Sequence, residues 1–217
     1  MLKLTVLQRI HDAGMVAIVR ADTADGAVAL AQACIAGGVT ALEVAFTTPG
    51  TLDVIASLRR QHGDRVLIGA GTVLDEQTAR MAILAGAQFI ISPSVDLAVI
   101  RLCHRYQVPV MPGAMTPAEI IAALEAGADI VKIFPGDAFG PEYIKALLAP
   151  LPQAPLMPTG GVTLDNLAEW FKYGSVAVGV GGSLTAPARA GNYAAVTATA
   201  REFVRRIVEL KGAVSTQ

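Results

Sequence analysis

Short apolar segments alternate with helix-like segments along the whole sequence. At four places a helical pattern ends in glycine and an apolar segment follows, about forty to fifty residues apart: Ala36-Gly37-Gly38, Ala85-Gly86-Ala87, Ala126-Gly127-Ala128 and Tyr173-Gly174-Ser175. Glycine is common just after the last turn of a helix because its backbone enters the left-handed region without steric cost. A repeated junction of this kind predicts right-handed βαβ units with parallel strands.

The apolar segments predict eight strands. They span residues 15–20, 41–46, 66–71, 89–93, 108–112, 130–135, 156–159 and 176–181. Helical spacing of apolar residues predicts helices at 5–13, 24–36, 51–61, 76–85, 98–106, 117–125, 142–148, 164–173 and 193–210. We therefore expect an α/β fold, a (β/α)8 TIM barrel that forms one domain over residues 1–217, with a short N-terminal helix and a disordered tail from about residue 212. The alternative is a doubly wound open sheet, but the glycine-rich fingerprint of that fold is absent after strand one.

The charge balance argues against a nucleic acid or a membrane as partner. The chain has 17 basic and 18 acidic residues, a net charge of -1, and no long run of either sign. A protein that binds nucleic acid or an anionic membrane surface would carry a basic patch. The N-terminus has no basic segment followed by an apolar one, and prolines interrupt the charge-free stretch at 146–164, so neither a signal peptide nor a membrane span is expected.

The two cysteines, Cys34 and Cys103, both lie within predicted helices. Their spacing fits neither a CxxC motif nor a metal site. We therefore expect two buried, free thiols and a reducing, cytoplasmic location.

A lysine interrupts the predicted sixth strand. Lys132 stands in the middle of the run Asp-Ile-Val-Lys-Ile-Phe-Pro at 129–135, whose isoleucine and valine content is typical of a buried parallel strand. Burying a charged ammonium there would cost several kcal/mol, so the amine is expected to be either neutral or paired. A neutral amine is a nucleophile toward ketones. The alternative is a lysine that reaches water at the strand mouth or pairs with a structural carboxylate.

Glu43 interrupts the predicted second strand in the same way. In a (β/α)8 barrel the functional residues lie at the carboxyl ends of the strands, and strands two and six face each other across the barrel. Glu43 and Lys132 are therefore predicted to face one cavity, as a proton shuttle and a nucleophile. A buried salt bridge without chemistry is the alternative.

Two glycine-rich turns follow strands seven and eight, at Thr159-Gly160-Gly161 and Gly181-Gly182-Ser183. Barrels commonly bind phosphate at this place through backbone N–H groups, although both segments would also serve as plain tight turns. The three histidines, His11, His62 and His104, lie in predicted helices or at helix ends. Neither a histidine-ligated metal nor a Ser-His-Asp triad is therefore predicted.

Several short motifs together resemble those of one known family. They are Leu42-Glu43-Val44, Gly69-Ala70-Gly71-Thr72-Val73-Leu74, Ile91-Ser92-Pro93, Pro112-Gly113, Val131-Lys132-Ile133-Phe134-Pro135, Pro158-Thr159-Gly160-Gly161 and Gly181-Gly182-Ser183. From about residue 16 to about residue 210 the sequence is similar to the 2-keto-3-deoxy-6-phosphogluconate (KDPG) aldolases and the related 4-hydroxy-2-oxoglutarate (KHG) aldolases. The resemblance implies a class I aldolase on a trimeric (β/α)8 barrel, with no metal and no other cofactor.

The resemblance also implies a role for each site residue. Lys132 would be the Schiff-base lysine and Glu43 the general acid/base. Thr72 and Pro93 would line the pyruvyl pocket, Phe134 would also bind substrate, and the phosphorylated end would be held by Thr159, Gly160, Gly161, Gly182 and Ser183.

This chain departs from many family members at the residue for the pyruvate carboxylate. Those members carry an arginine shortly after the glutamate of strand two, where this chain has Thr47-Thr48. Other members place an arginine at the end of strand one, so the role passes here to Arg20. The alternative is that Arg20 pairs with Asp22 or Asp25 in the following loop.

The implied reaction cleaves KDPG to pyruvate and glyceraldehyde 3-phosphate, and also 4-hydroxy-2-oxoglutarate to pyruvate and glyoxylate. Its partners would be a 2-keto-3-deoxy sugar acid phosphate, pyruvate, an aldehyde and further copies of the chain in a homotrimer. A 2-keto-3-deoxy-6-phosphogalactonate aldolase remains an alternative, because the galactonate substrate differs from KDPG only in the orientation of one hydroxyl. Two other classes remain open, a sugar-phosphate isomerase or epimerase and a non-enzymatic sugar-phosphate sensor, and neither would use Lys132 as a nucleophile.

Overall fold

Eight parallel strands line the inside of the fold within residues 2–214, which the computed structural model describes. They are β1 (Met15–Val19), β2 (Ala41–Ala45), β3 (Leu67–Gly71), β4 (Ile90–Ile91), β5 in two parts (Val110–Met111 and Gly113–Ala114), β6 (Val131–Ile133), β7 (Leu156–Pro158) and β8 (Val178–Val180). Each strand lies inside its predicted segment, except that β5 continues past its predicted end.

Pro112 interrupts β5 without ending it. Proline has no N–H, so it cannot donate a hydrogen bond to a neighbouring strand. Its carbonyl still accepts a hydrogen bond from the N–H of Lys132 at 2.9 Å, and Gly113 pairs with Lys132 in the ladder. The prediction that the fifth strand ends at residue 112 is therefore wrong, because only the donor is lost there.

The strands close into a barrel. β5, β4, β3, β2, β1 and β8 lie side by side in that order, while β5 also pairs with β6 and β6 with β7. The remaining gap, between β7 and β8, is spanned by a parallel bridge between Thr159 and Gly179. This closure confirms the predicted (β/α)8 barrel and places β2 and β6 on opposite sides of it.

Ten α-helices connect and cover the strands in the described residues. They are α1 (Leu2–Ala13), α2 (Ala24–Ala36), α3 (Thr51–His62), α4 (Glu76–Leu84), α5 (Leu97–Arg105), α6 (Pro117–Glu125), α7 (Glu142–Leu148), α8 (Leu167–Lys172), α9 (Gly182–Thr185) and α10 (Tyr193–Val214). Four helices start where a side chain accepts a hydrogen bond from the first turn: these caps are Thr23, Asp75, Asp96 and Thr116.

Helix α1 closes the amino end of the barrel. Its residues Val6 and Ile10 are buried against an apolar cluster inside the barrel that includes Phe89 and Met157. Gly69 leaves space for the Phe89 ring, because a Cβ there would lie 2.2 Å from a ring carbon. With the amino end filled, the carboxyl ends of the strands form the open mouth.

The remaining expectations concern the tail, the membrane and the cysteines. Helix α10 continues to Val214, so the first residues of the tail predicted from about residue 212 belong to this helix. The rest of that tail, residues 215–217, lies outside the described part of the chain. No helix among the described residues is both long and apolar enough to cross a membrane. Cys34 and Cys103 are buried and free, as predicted.

Candidate active site

Glu43 is a buried carboxylate in the middle of β2. The residue is 3% exposed, and its Oε2 has no hydrogen-bond partner among the described residues. Gly71 leaves space for the carboxylate, because a Cβ there would lie 2.7 Å from Glu43 Cδ. Burial raises the pKa of Glu43, while the positive charges of Lys132 and Arg20 oppose that rise. The carboxyl group therefore holds a proton more tightly than a glutamate in water does.

Lys132 lies across the barrel from Glu43, in the middle of β6. The residue is 6% exposed, and within residues 2–214 no carboxylate forms an ion pair with its amine. Its Nζ lies 4.8 Å from the centroid of the Phe134 ring, within the range of a cation–π contact. The alternative of a structural salt bridge with Glu43 is therefore not realised, and a substrate carbonyl has no carboxylate to displace.

Thr159 places a second unpartnered polar atom inside the barrel. The residue is 3% exposed, and its Oγ1 has no hydrogen-bond partner in the part of the chain described. Gly179 leaves space for it, because a Cβ there would lie 2.2 Å from Thr159 Oγ1. Thr159 and Glu43 line one narrow cavity that has no room for a water molecule. The other residues that line it are Val16, Ile18, Ile91, Met157 and Gly179.

The side chain of Thr159 does not lie with the glycine turn to which the sequence assigns it. Side chains alternate along a strand, and Met157, two residues earlier, also faces the cavity. The main chain continues into the turn at Gly160 and the exposed Gly161, while the hydroxyl of Thr159 stays inside the barrel near Glu43. The main chain of Thr159 therefore adjoins the turn, while its hydroxyl lies on the side of Glu43.

Thr72 follows β3 in a backbone conformation that threonine rarely adopts. Its φ angle is 59°. In this left-handed region a β-branched residue costs on the order of 1–3 kcal/mol. Gly71, directly before it, packs against the carboxyl group of Glu43. Such strain persists only where the surrounding structure holds it, and it is commonest at binding sites, so it supports the placement of Thr72 in the site.

Arg20 directly follows β1 and is exposed at the mouth of the barrel. Among residues 2–214 it forms no ion pair, so the alternative pairing with Asp22 or Asp25 is absent. Burial raises the pKa of Glu43, and the positive charges of Lys132 and Arg20 both oppose this rise. An unpaired guanidinium in this position suits a carboxylate ligand, which it can bind with two parallel hydrogen bonds.

Pro93 lies at the exit of β4 and is held against β5. A Cβ at Gly113 would lie 2.2 Å from the carbonyl oxygen of Pro93, so the two main chains are in close contact. The buried Ser92 donates its hydroxyl hydrogen bond to the carbonyl of Ser94 at 2.7 Å, which tightens the same turn. Together with the half-exposed Phe134, Pro93 therefore lies at the carboxyl ends of the strands, as predicted.

The glycine turns after β7 and β8 come together. The hydroxyl of Ser183 donates to the carbonyl of Val162 at 2.5 Å, which joins the start of α9 to the segment after Gly161. Gly161, Gly182 and Ser183 are all exposed. The two turns thus form one accessible glycine-rich surface at the mouth.

Asp137 packs against this surface, which the sequence did not indicate. A Cβ at Gly161 would lie 2.6 Å from Asp137 Cβ, and Gly160 and Gly161 have φ angles of 100° and 69°. Only glycine accommodates both the close contact and these angles easily. The N–H of Gly136 donates to the carbonyl of Thr159 at 2.7 Å, which attaches the segment after Lys132 to the same turn.

Comparison with known proteins agrees with this arrangement. The sequence model of the KDPG and KHG aldolase family matches residues 6–199. The 2-dehydro-3-deoxy-phosphogluconate aldolase of Treponema pallidum (strain Nichols) is 37% identical over 206 residues, which cover 93% of this chain and 97% of that protein. The 2-dehydro-3-deoxy-6-phosphogalactonate aldolase of Escherichia coli (strain K12) is 42% identical over 171 residues, 78% of this chain and 83% of that protein.

A solved structure extends the agreement to three dimensions. The KDPG aldolase of Legionella pneumophila, with pyruvate captured at low pH as a covalent carbinolamine intermediate, superposes with a TM-score of 0.80 at 28% identity. The match covers 87% of this chain and 92% of that one. The present chain therefore belongs to the family of KDPG and KHG aldolases and is an aldolase, an enzyme that cleaves carbon–carbon bonds.

Proposed function

We propose that the chain is a class I aldolase that cleaves KDPG to pyruvate and glyceraldehyde 3-phosphate through a Schiff base on Lys132. The observation that carries this proposal is a buried amine that forms no ion pair with a carboxylate of residues 2–214, across the barrel from a buried carboxylate whose Oε2 has no hydrogen-bond partner within the same residues. Each group is costly to bury without a partner, so the presence of both points to a functional role. Together they supply the nucleophile and the proton carrier that an aldol cleavage needs.

The residues act in a fixed order. The amine of Lys132 attacks the C2 ketone, and loss of water gives an iminium that accepts electrons from the C3–C4 bond. Glu43 takes the proton of the C4 hydroxyl as that bond breaks, and glyceraldehyde 3-phosphate leaves. The enamine is then protonated at C3 and hydrolysed, which releases pyruvate and restores the amine. The raised pKa of Glu43, caused by burial, suits a group that must both accept and return a proton.

The substrate is held at both ends in this proposal. Arg20 and Thr72 orient the carboxylate of the pyruvyl half, and Pro93 and Phe134 line its pocket. The glycine-rich surface formed by Gly160, Gly161, Gly182 and Ser183 receives the phosphate through backbone N–H groups. The exposure of this surface supports the assignment, as does the absence of an ion pair between Arg20 and any carboxylate of residues 2–214.

Borohydride reduction in the presence of pyruvate tests the mechanism. A class I aldolase traps one pyruvate on Lys132, which mass spectrometry of the digested protein locates. An isomerase, an epimerase or a sensor of sugar phosphates would trap none. Comparison of kcat/KM for KDPG, its galactonate epimer and 4-hydroxy-2-oxoglutarate then identifies the substrate; we expect KDPG to be preferred, with cleavage of 4-hydroxy-2-oxoglutarate as a second activity.

Replacing Thr72 with glycine should separate stability from activity. The change removes the strain at a φ of 59° and also the side chain that faces substrate, so we expect the free energy of unfolding to rise by about 1 kcal/mol while kcat/KM falls at least about tenfold. Gln107→Gly is the matched control, because Gln107 has a φ of 55° but is exposed after α5, far from the site. We expect Gln107→Gly to raise the free energy of unfolding and to leave kcat/KM unchanged. Urea unfolding measures the free energy of unfolding of each variant, and steady-state kinetics measures kcat/KM. If Thr72→Gly is less stable than the unmodified protein, contacts of the threonine side chain outweigh the strain of its backbone.

We also propose a homotrimer, which the family resemblance implies. Several large apolar side chains are exposed on one chain, among them Leu74, Met81 and Leu84 at 61%, 51% and 69%. Met81 and Leu84 are three residues apart on α4, so they share one face, and exposed apolar residues on one face are typical of an interface. The exposed Phe139, in the loop after Phe134, is a further candidate contact.

Introducing a charge on this face should separate the chains. Leu84→Arg is expected to shift the mass in light scattering from three chains to one at micromolar concentration, because a buried guanidinium without a partner would destabilise the interface. Val208→Arg, on the equally exposed surface of α10, serves as the control and should leave the mass unchanged. A trimer that persists in Leu84→Arg would exclude α4 from the interface.

The cysteines support the finer proposal of a cytoplasmic location. Cys34 and Cys103 are both free, and burial raises the pKa of each thiol to about 12. Thiols of this kind remain in the unreactive protonated form. A chain whose two cysteines are both unpaired fits a reducing compartment.

A further inference from the structure

A buried threonine connects the turn after β2 to the residue that follows Arg20. Thr48 is 3% exposed, and its Oγ1 accepts a hydrogen bond from the N–H of Ala21 at 3.2 Å. The paired part of β1 and β2 ends at Val19 and Val44, so this hydrogen bond lies just beyond the ladder. The hydroxyl of Thr48 therefore restrains the main chain at the point where strand pairing no longer does.

The turn that carries Thr48 is itself attached to β2, the strand of Glu43. The N–H of Thr48 donates to the carbonyl of Ala45 at 2.9 Å. The hydroxyl of the buried Thr51 lies within hydrogen-bond distance of the carbonyls of both Ala45 and Thr48, at 3.0 and 2.7 Å. The position of Ala21 is thus fixed relative to β2 by a short series of hydrogen bonds.

We propose that Thr48 is a positioning residue for Arg20. By holding Ala21, it fixes the direction in which the guanidinium leaves β1 and aims it at the carboxylate of the substrate. This inference rests on the proposed function, in which Arg20 binds that carboxylate. Because Arg20 has no ion pair within residues 2–214, no carboxylate orients its side chain and the main chain has to set its direction. A guanidinium makes two parallel hydrogen bonds to a carboxylate only when its plane is correctly placed, so a small displacement weakens binding.

Thr48→Val tests the inference, because valine keeps the shape of threonine and removes the acceptor. We expect the half-saturating concentration of pyruvate in the condensation direction to rise about three- to tenfold, as for the loss of one hydrogen-bonded restraint. The kcat and the KM of the aldehyde should change less than about twofold. Thr48→Ser keeps the hydroxyl and should return the pyruvate affinity to nearly its original value. A merely structural role would lower Tm without separating the two substrates.

Arg20→Ala completes a double-mutant cycle. If Thr48 acts through Arg20, Thr48→Val should cause no further loss of pyruvate affinity once Arg20 is alanine. Borohydride trapping of pyruvate at increasing concentration measures this affinity independently of turnover. The inference is overturned if Thr48→Val leaves the affinity unchanged, or if it weakens binding equally in both backgrounds. Failure of the proposed function looks different, because the unmodified protein would then trap no pyruvate on Lys132 at any concentration.

Discussion

Lys132→Ala should abolish aldol cleavage while the barrel stays folded. The change removes the nucleophile that forms the Schiff base, so we expect kcat to fall by at least about four orders of magnitude, as for other enzymes that lose the attacking group of a covalent mechanism. Borohydride should trap no pyruvate on the variant. Steady-state cleavage of KDPG and mass spectrometry after reduction measure the two effects. Turnover and trapping that survive in Lys132→Ala would assign the Schiff base to another lysine.

The barrel should tolerate this change because no carboxylate in the described part of the chain forms an ion pair with Lys132 and would be left without its partner. Its charge opposes the rise that burial causes in the pKa of Glu43, so its removal makes Glu43 easier to protonate rather than leaving an ionised group unpaired. We expect Tm to change by only a few degrees, which is about what 1 kcal/mol produces in a chain of this size. Lys145→Ala, an exposed lysine on α7, is the matched control and should keep both activity and Tm.

The barrel and its central pair were predictable because both follow from regular features of the sequence. Glycine junctions separate the βα units, and the count of eight units places strands two and six on opposite sides whatever the loops do. Glu43 and Lys132 stand out in the sequence because each is a charged residue in an otherwise apolar strand, and these two strands are β2 and β6. The strand that was mispredicted, β5, contains Pro112, whose carbonyl pairs even though its nitrogen cannot.

The finer geometry of the site depends on contacts between strands, which the sequence does not display. The hydroxyl of Thr159 points into the barrel because Gly179, on the neighbouring strand, has no side chain in its way. Gly71, on the strand next to β2, likewise leaves space for the carboxyl group of Glu43. Glycine inside a strand commonly marks such a close approach, so these two glycines were signals for the position of their neighbours. No pattern indicates that Thr72 adopts a positive φ, since threonine avoids that region and only the assembled site holds it there.

Glu43→Gln should retain the Schiff base and lose turnover. Glutamine keeps the shape of the side chain but cannot take the C4 hydroxyl proton, so we expect kcat to fall by about 10² to 10⁴, the range of general acid–base catalysis. Trapping of pyruvate by borohydride should remain within a few-fold of that of the unmodified protein. Single-turnover cleavage and trapping at saturating pyruvate separate the two steps. Near-normal turnover would mean that the substrate phosphate or a water carries the proton instead.

The same variant should change how stability depends on pH. Burial raises the pKa of Glu43 in the folded chain, against the opposing charges of Lys132 and Arg20, so the folded state binds this proton more tightly than the unfolded state does. At about pH 4, where Glu43 is largely protonated in both states, glutamine and glutamate should give nearly equal Tm. As pH rises through the raised pKa, the folded protein must ionise a buried group and loses stability, whereas Glu43→Gln does not. The variant should therefore have the higher Tm at pH 8, while the exposed control Glu125→Gln shows no such difference. A lower Tm for Glu43→Gln at pH 8 would mean that Lys132 and Arg20 stabilise the ionised carboxylate more than burial destabilises it.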